Sequence, residues 1–431
     1  MALSGSSDDD RGGWLKIFRL PWSLTPPRVA LARVGGFGLP RLLRFAGRRG
    51  GFEVLYADRI IYALRSLTRA RGRLIIALTG ITFAAFLMAV EGSLLFGFTL
   101  AASRLIDAVD GDVWMVARGI PALEFVSPID ERFAWLARGA PGVAATGRGI
   151  AGWAPFQRND GDRTFVFAVG VTDRFLGKIP SPDEASNLVG GRRIPLQVDE
   201  TDQEALSDTA LPVSIQVAGT RADLVGSVKG FAAFLGTPFV FARFEDMRNF
   251  LPYAPSTVSF ILVRAERRFT PEAVRNALRA RFNSVDIWTT REFSWRARIF
   301  WLIKTGAGGA LSLAAILGFL IGLSVVAQTI YSLTAENVEE YATLRALGAS
   351  KRYVKSIVLI QSLSCGAIGT FFGLIALGPF ANAAKAIVTW IFVPGWMYPL
   401  VTAVVTLLCL LAASIASRPA INTEPARVFR A

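Results

Sequence analysis

AENVEEYATLRALGASKRYVKSIVLIQS, residues 335–362, is a charged, helix-like stretch set between two of the longest uncharged runs in the chain. Val338, Tyr341, Leu344 and Leu347 recur at the spacing of one helical face, Gly348 can end the helix, and Lys351, Arg352 and Lys355 follow. The pattern predicts a short amphipathic helix. What it is for depends on its flanks.

Those flanks have membrane length. A spanning helix needs roughly 20 apolar residues, because the hydrocarbon core is about 30 Å thick and a helix rises about 1.5 Å per residue. The charge-free gaps are Leu74 to about Thr99, interrupted only by Glu91, then Thr305–Ala335, Ser356–Ala384 and Ala386–Ser417. Pro394, Gly395 and Pro399 place a turn early in the last gap, so its crossing starts at about Leu400. With 52% hydrophobic and 19% charged residues, the composition is that of a membrane protein with four crossings.

The net charge of +14 does not point to nucleic acid, because the basic excess lies before the first crossing while the segment between Arg104 and Lys304 is nearly balanced. Short basic segments stay in the cytoplasm, whereas long loops cross regardless of charge. Both termini and the loop after Ala335 are therefore expected inside, with the residues between the first two crossings outside. Trp301, Trp390, Trp396 and Tyr398 read as an aromatic belt at the outer interface. Glu91, about 17 residues beyond Arg73, is expected near that outer surface as a solvated carboxylate, the alternative being a substrate or proton site.

Ahead of the first crossing, Ala57, Ile60, Ile61, Leu64 and Leu67 fall at helical spacing and predict a helix lying on the inner leaflet. The external segment alternates strand-like runs (VWMVARG, RTFVFAVGV, VSFILVRA) with polar turns. TVSFILVRA, TPEAVRNALRARF and SVDIW give a strand, helix, strand order with Thr270 as the cap before Pro271. The two cysteines, Cys365 and Cys409, fall in membrane helices and predict no structural disulfide. Gly318 with Gly322, and Gly369 with Gly373, have the GxxxG spacing that lets helices approach closely.

The chain has no histidine, which removes the commonest general base and metal ligand. No Walker A string occurs; Gly177–Lys178 lacks the upstream glycine. Neither catalytic nor metal residues are predicted, and if ATP drives the protein, another subunit binds it.

The wording of the opening stretch goes further. EYATLRALGASKRYV resembles the cytoplasmic signature of FtsX/MacB-type permeases of ABC transport systems. REFSWRARIFWLIKTGAGGALSLAAILGFLIGLSVVAQTIYSLTAENVEEYATL is similar to the corresponding region of DevC-like permeases, the heterocyst-glycolipid exporters. GDVWMVARG, APSTVSFILVRAE and the terminal NTEPARVFRA agree, so the resemblance covers about residues 54–430.

The fold this implies is an α-helical integral membrane protein with four transmembrane helices and a large α+β periplasmic domain inserted between the first and second. The expected order is a basic cytoplasmic extension (1–50), an amphipathic interfacial helix (51–73), transmembrane helix 1 (74–103), a MacB-like periplasmic domain (104–298) and transmembrane helix 2 (299–335). A cytoplasmic coupling helix (336–353), transmembrane helix 3 (354–384), a short periplasmic loop (385–399), transmembrane helix 4 (400–417) and a cytoplasmic tail (418–431) complete it.

The resemblance also implies a role. The coupling helix sits in a groove of a cytoplasmic ABC ATPase, with Tyr341, Leu344 and Leu347 as apolar anchor, Glu340 and Arg345 as polar rim and Gly348 as terminator. ATP and Mg belong to that partner, and this chain binds no cofactor. A permease homodimer in the bacterial inner membrane is implied, working with a periplasmic membrane-fusion protein and an outer-membrane channel to export a lipid-like substrate. Two alternatives are a signal transmitter that activates a periplasmic cell-wall hydrolase and a lipoprotein-extraction permease.

Overall fold

The computed structural model describes residues 56–69, 71–157, 163–179, 194–207, 210–231 and 236–422. The extension over 1–50, the first residues of the expected interfacial helix and most of the expected tail lie outside the described residues. The segment expected as an interfacial helix forms α1, Tyr56–Arg69, and the first span follows it as α2, Arg71–Ala108. At about 1.5 Å per residue, the 38 residues of α2 reach about 57 Å, nearly twice the hydrocarbon thickness.

Beyond α2 comes a β-rich domain. Its strands are β1 (Val113–Ala117), β2 (Ile129–Asp130), β3 (Val143–Gln157), β4 (Arg163–Val171), β5 (Ile194–Asp199), β6 (Val213–Val217), β7 (Thr220–Val228), β8 (Phe239–Arg243), β9 (Thr257–Val258), β10 (Phe260–Ala265) and β11 (Val285–Thr289). Its main helices are α3 (Arg132–Arg138), α4 (Pro271–Arg279) and α5 (Thr290–Ile299). Among the described residues, one sheet runs β11-β1-β10-β3-β4-β8-β5-β7-β6, and β6 also pairs back onto the far end of β3. That second pairing closes six strands into a ring, with β10, β1 and β11 as an extension. The strand, helix, strand order read from the sequence is present as β10, α4 and β11, and the Thr270 side chain accepts from Ala273 N at 3.3 Å ahead of Pro271.

The central strands are apolar on both faces because both faces are covered. Val113 and Met115 of β1, with Ile261 and Val263 of β10, enter one core; Trp114 and Val116, with Phe260 and Leu262, enter the other. This alternation is the period-two geometry of a strand. The second core also takes Phe98, Leu105 and Ile106 from α2 and Phe293 and Ala297 from α5, so it joins the sheet to both helices. Arg298 of α5 ties the same two helices, donating to Ser103 Oγ at 2.7 Å and Asp107 Oδ2 at 2.8 Å.

The remaining helices are α6 (Gly306–Ala335), α7 (Val338–Ala346), α8 (Lys351–Ala384) and α9 (Met397–Asn422). Among the described residues four helices, α2, α6, α8 and α9, are long and apolar enough to cross a membrane. Both GxxxG faces pack on α2. A Cβ at Gly318 would lie 2.8 Å from Glu91 Cγ and one at Gly322 2.3 Å from Met88 Cε. One at Gly369 would lie 2.8 Å from Ile81 Cβ, and one at Gly373 2.7 Å from the Thr82 carbonyl. The first span is therefore the spine of the bundle.

The spans differ in height. Phe380, near the end of α8, stacks edge-on against Phe86 at 5.2 Å, and Met397, the first residue of α9, touches Gly92. Above that level α8 and α9 are absent while α2 and α6 continue toward the sheet, so about 25 Å of α2 projects as a stalk. Glu91 sits at the foot of this stalk against Gly318, level with the ends of the third and fourth spans. The connection between α8 and α9 leans on the stalk: Trp390 packs on Phe98 at 5.5 Å and Trp396 on Phe96 at 4.8 Å.

Trp301 departs from the sequence reading. It does not join an interfacial belt but is buried at the base of the β-rich domain, because its indole finds a hydrogen-bond acceptor there in Glu124 Oε2 at 3.2 Å. It belongs to a π-helical turn, Phe300–Lys304, that separates α5 from α6, and Thr305 is extended (φ −111°, ψ 149°) before α6 begins. The second span is thus not one helix from 299 onward. Phe125 closes the clasp against Phe300 and Trp301 at 5.2 and 5.9 Å.

Burial pushes the Glu124 carboxyl up to about 7, against the smaller opposing effects of its hydrogen bonds to its own backbone and to Trp301. A raised carboxyl means that the fold favours the neutral form. Its contribution is complete below the ordinary value of 4.5 and is lost as pH rises through about 7. The wild-type melting temperature is expected to fall between about pH 5 and about pH 8 by more than that of Glu124→Gln, in which the group does not titrate. Parallel pH profiles of the two proteins would remove Glu124 as the cause.

Candidate coupling site

At the end of the bundle far from the sheet, three segments meet: α1, α7 and the first turns of α8. Helix α7 is a two-turn rod between α6 and α8, ended where the sequence places Gly348, whose φ is +96°. That left-handed conformation strains any residue with a Cβ. Gly348 N donates to Arg345 O at 3.0 Å and Ala349 N to Leu344 O at 3.0 Å, satisfying the carbonyls at the helix end. Ser350 then caps α8 by accepting from Tyr353 N at 3.2 Å.

The expected anchor residues do not share one outward face. Tyr341 is fully buried, and its hydroxyl donates to Gln361 Oε1 of α8 at 2.7 Å. Val338 and Leu344 pack partly against the same core. The stripe binds α7 to its own bundle, which is the nearest apolar surface. Leu347 alone of the set stands out from the protein, 78% exposed. Arg345 is half-buried and Gly348 exposed beside it.

Glu340 also turns inward, toward α1. Tyr62 Oη donates to Glu340 Oε1 at 2.6 Å and Ser66 Oγ to Oε2 at 3.1 Å. Burial, and then the adjacent Glu340 carboxylate, raise the Tyr62 phenol above its ordinary range, so it stays protonated as the donor. Helix α1 is held from below by Ala63 and Leu67, buried in the bundle core, while Ile60, Ile61 and Leu64 are exposed on its other side. Arg59 lies over the Tyr353 ring at 5.5 Å. The Arg73–Glu336 pair, 3.5 Å apart and well exposed, adds little.

Tyr62, Ser66 and Gln361 were not singled out from the sequence. Gln361 carried a signal, since an amide inside a membrane helix requires an interhelical partner. The pairing of Tyr62 and Ser66 with a residue more than 270 positions away carried none. Among the described residues no three His, Cys, Asp or Glu side chains are grouped as metal ligands. Cys365 and Cys409 are free and buried. Among the described residues, the side-chain bonds that tie α7 to its neighbours run from Glu340 to Tyr62 and Ser66 of α1 and from Tyr341 to Gln361 of α8.

Residues 312–425, which include this site except for α1, match the FtsX-like permease C-terminal family. They form an FtsX-like permease domain. Over 373 residues the chain is 22% identical to Rv0072, an uncharacterized ABC transporter permease of Mycobacterium tuberculosis, covering 85% of this chain and 98% of the relative. It is 23% identical over 377 residues to Mb2592, an uncharacterized ABC transporter permease of Mycobacterium bovis, with the same coverage. The chain as a whole is similar to ABC transporter permeases, its C-terminal part to the FtsX type, and such a permease implies an ATPase partner. Among solved structures, the periplasmic region of MacB from Actinobacillus actinomycetemcomitans aligns over 43% of this chain and 92% of its own, at 9% identity and TM-score 0.32. The extracellular domain of the Gram-positive transporter YknZ aligns over 41% and 98%, at 11% identity and TM-score 0.29.

Proposed function

We propose that this permease converts the motion of a separate ABC ATPase into motion of its β-rich domain, and that α7 is the part the ATPase moves. The observation that carries the reading is the position of Leu347: a large apolar side chain left exposed at the tip of a short helix that is bonded to α8 through Tyr341 and Gln361. A helix tip of this kind suits an apolar pocket on a partner. Displacement of α7 shifts α6 and α8 together, and α6 and α2 lead on to the domain.

In this reading α1, α7 and the chain termini lie in the cytoplasm and the β-rich domain lies across the inner membrane in the periplasm. The basic residues before the first span favour that orientation. Two copies serve an ATPase dimer, and the domain works with a membrane-fusion protein and an outer-membrane channel on a lipid-like substrate, as the DevC-like wording of the sequence implies. ATP and Mg reside on the ATPase.

The test is Leu347→Asp. Because the side chain is exposed, the variant should insert and fold normally but lose the ATPase on co-purification, together with permease-dependent ATP hydrolysis. Unchanged co-purification would refute the assignment of α7. Leu347→Cys in a Cys365→Ser/Cys409→Ser background should also resist a membrane-impermeant maleimide added to intact spheroplasts; labelling from outside would reverse the orientation.

A further inference from the structure

The bonds between α1 and α7 suggest a role for Glu340 other than contact with a partner. Its two carboxylate oxygens each receive a hydroxyl from α1, and the two donors, Tyr62 and Ser66, stand one helical turn apart. Two donors on a rigid helix fix both the position and the rotation of the acceptor, and bonds to an ionised group are the stronger kind. On its bundle side α1 is anchored through Ala63 and Leu67, and at its start Arg59 lies over Tyr353 at the head of α8. Helix α1 therefore spans the joint at Gly348, touching the segment on each side of it.

That joint needs support. Gly348 in the left-handed region, followed by the extended Ser350 (φ −70°, ψ 155°), leaves α7 connected to α8 by a turn without regular helical bonds. A load applied at Leu347 acts next to this turn. The Tyr341–Gln361 bond holds the bundle-facing side of α7 to α8, and the attachment of Glu340 to α1 holds a second side, so that together they resist a pivot at the turn.

We propose that α1 is a strut of the coupling machinery: through Tyr62 and Ser66 it holds Glu340, and with it α7, in fixed register against α8, so that load is delivered to the spans. Glu340 is then a positioning residue, inside the permease. This rests on the reading of α7 as the ATPase contact, but the strut acts after the ATPase has bound. Binding and transmission should separate.

The experiment uses the full-length permease with its ATPase in lipid nanodiscs. Tyr62→Phe/Ser66→Ala removes both hydroxyls without touching α7. The ATPase should co-purify in the wild-type ratio, while permease-dependent stimulation of ATP hydrolysis falls about tenfold, the effect of losing bonds to a charged group. A covalent substitute should restore it. In the Cys365→Ser/Cys409→Ser background, Tyr62→Cys/Glu340→Cys cross-linked through a bis-methanethiosulfonate spacer, which replaces the reach of the lost phenol and carboxylate side chains, should regain stimulation and lose it on reduction with dithiothreitol. Full stimulation in the double hydroxyl variant, or a cross-link that forms without restoring stimulation, would overturn the strut. Retention of the ATPase by Leu347→Asp while the cross-link forms would instead overturn the coupling reading and remove the strut's role with it.

Discussion

Trp114→Ala is expected to cost about 3–5 kcal/mol and to unfold the β-rich domain at temperatures where the wild type is intact. Trp114 is fully buried in the middle of β1, with Phe260 at 4.8 Å on the neighbouring strand and Phe293 at 5.4 Å on α5. It touches the sheet and the helix leading to the second span at once, so its loss opens a cavity where the two are joined. A domain of ordinary stability, about 5–15 kcal/mol, has little margin for that. Limited proteolysis of the full chain in detergent, followed against temperature, should show cleavage between α2 and α6 many degrees earlier. Trp114→Phe, which fills most of the space, should recover much of the difference. A wild-type proteolysis curve for the alanine variant would mean that this core does not hold the domain together.

Gly373→Leu is the second large effect. The nearest atoms to a Cβ there are the Thr82 carbonyl at 2.7 Å, Ala85 Cβ at 3.1 Å and Phe86 N at 3.1 Å. Two of the three belong to the backbone of α2, which cannot rotate away as a side-chain end can. Overpacking of this kind costs about 1–3 kcal/mol where the surroundings yield, and more where they do not. Helix α8 should be forced off α2, and the yield of monodisperse protein should collapse on size-exclusion chromatography. Gly378→Leu on the same helix is the control, since nothing lies within 4 Å of a Cβ there. Equal behaviour of the two variants would contradict the close α2–α8 contact.

What could be read from the sequence was set by one-dimensional signals. Charge gaps mark the spans because lipid excludes charge locally, and the strand runs of β1, β4 and β10 show in their own composition. The upper end of the first span did not show: Phe98 and Ala102 fall within the expected membrane helix, yet they are packed in the core of the β-rich domain. The break at Thr305 was equally hidden, because Phe300, Trp301 and Leu302 are as apolar as the span they precede. The closure of β6 onto β3 depends on pairing between distant segments, which no local pattern encodes.

At the candidate site the helix and its terminating glycine were legible, but the direction of its faces was not. An apolar stripe says that a surface is covered without saying by what. Here the chain's own bundle covers Tyr341, leaving Leu347 to the outside. The carboxylate read as an outward rim is occupied by α1, whose hydroxyls look like ordinary polar positions on an amphipathic helix.

The two legs under the β-rich domain are unequal. One, α2, passes into it as continuous helix; the other reaches it through a π-helical turn and one extended residue, clasped by Glu124 and Phe125. In engineering language, one leg is welded and the other is pinned. Under the proposed coupling, equal thrust on both legs would tip the domain about the pinned side rather than lift it straight up, a nod in place of a piston stroke.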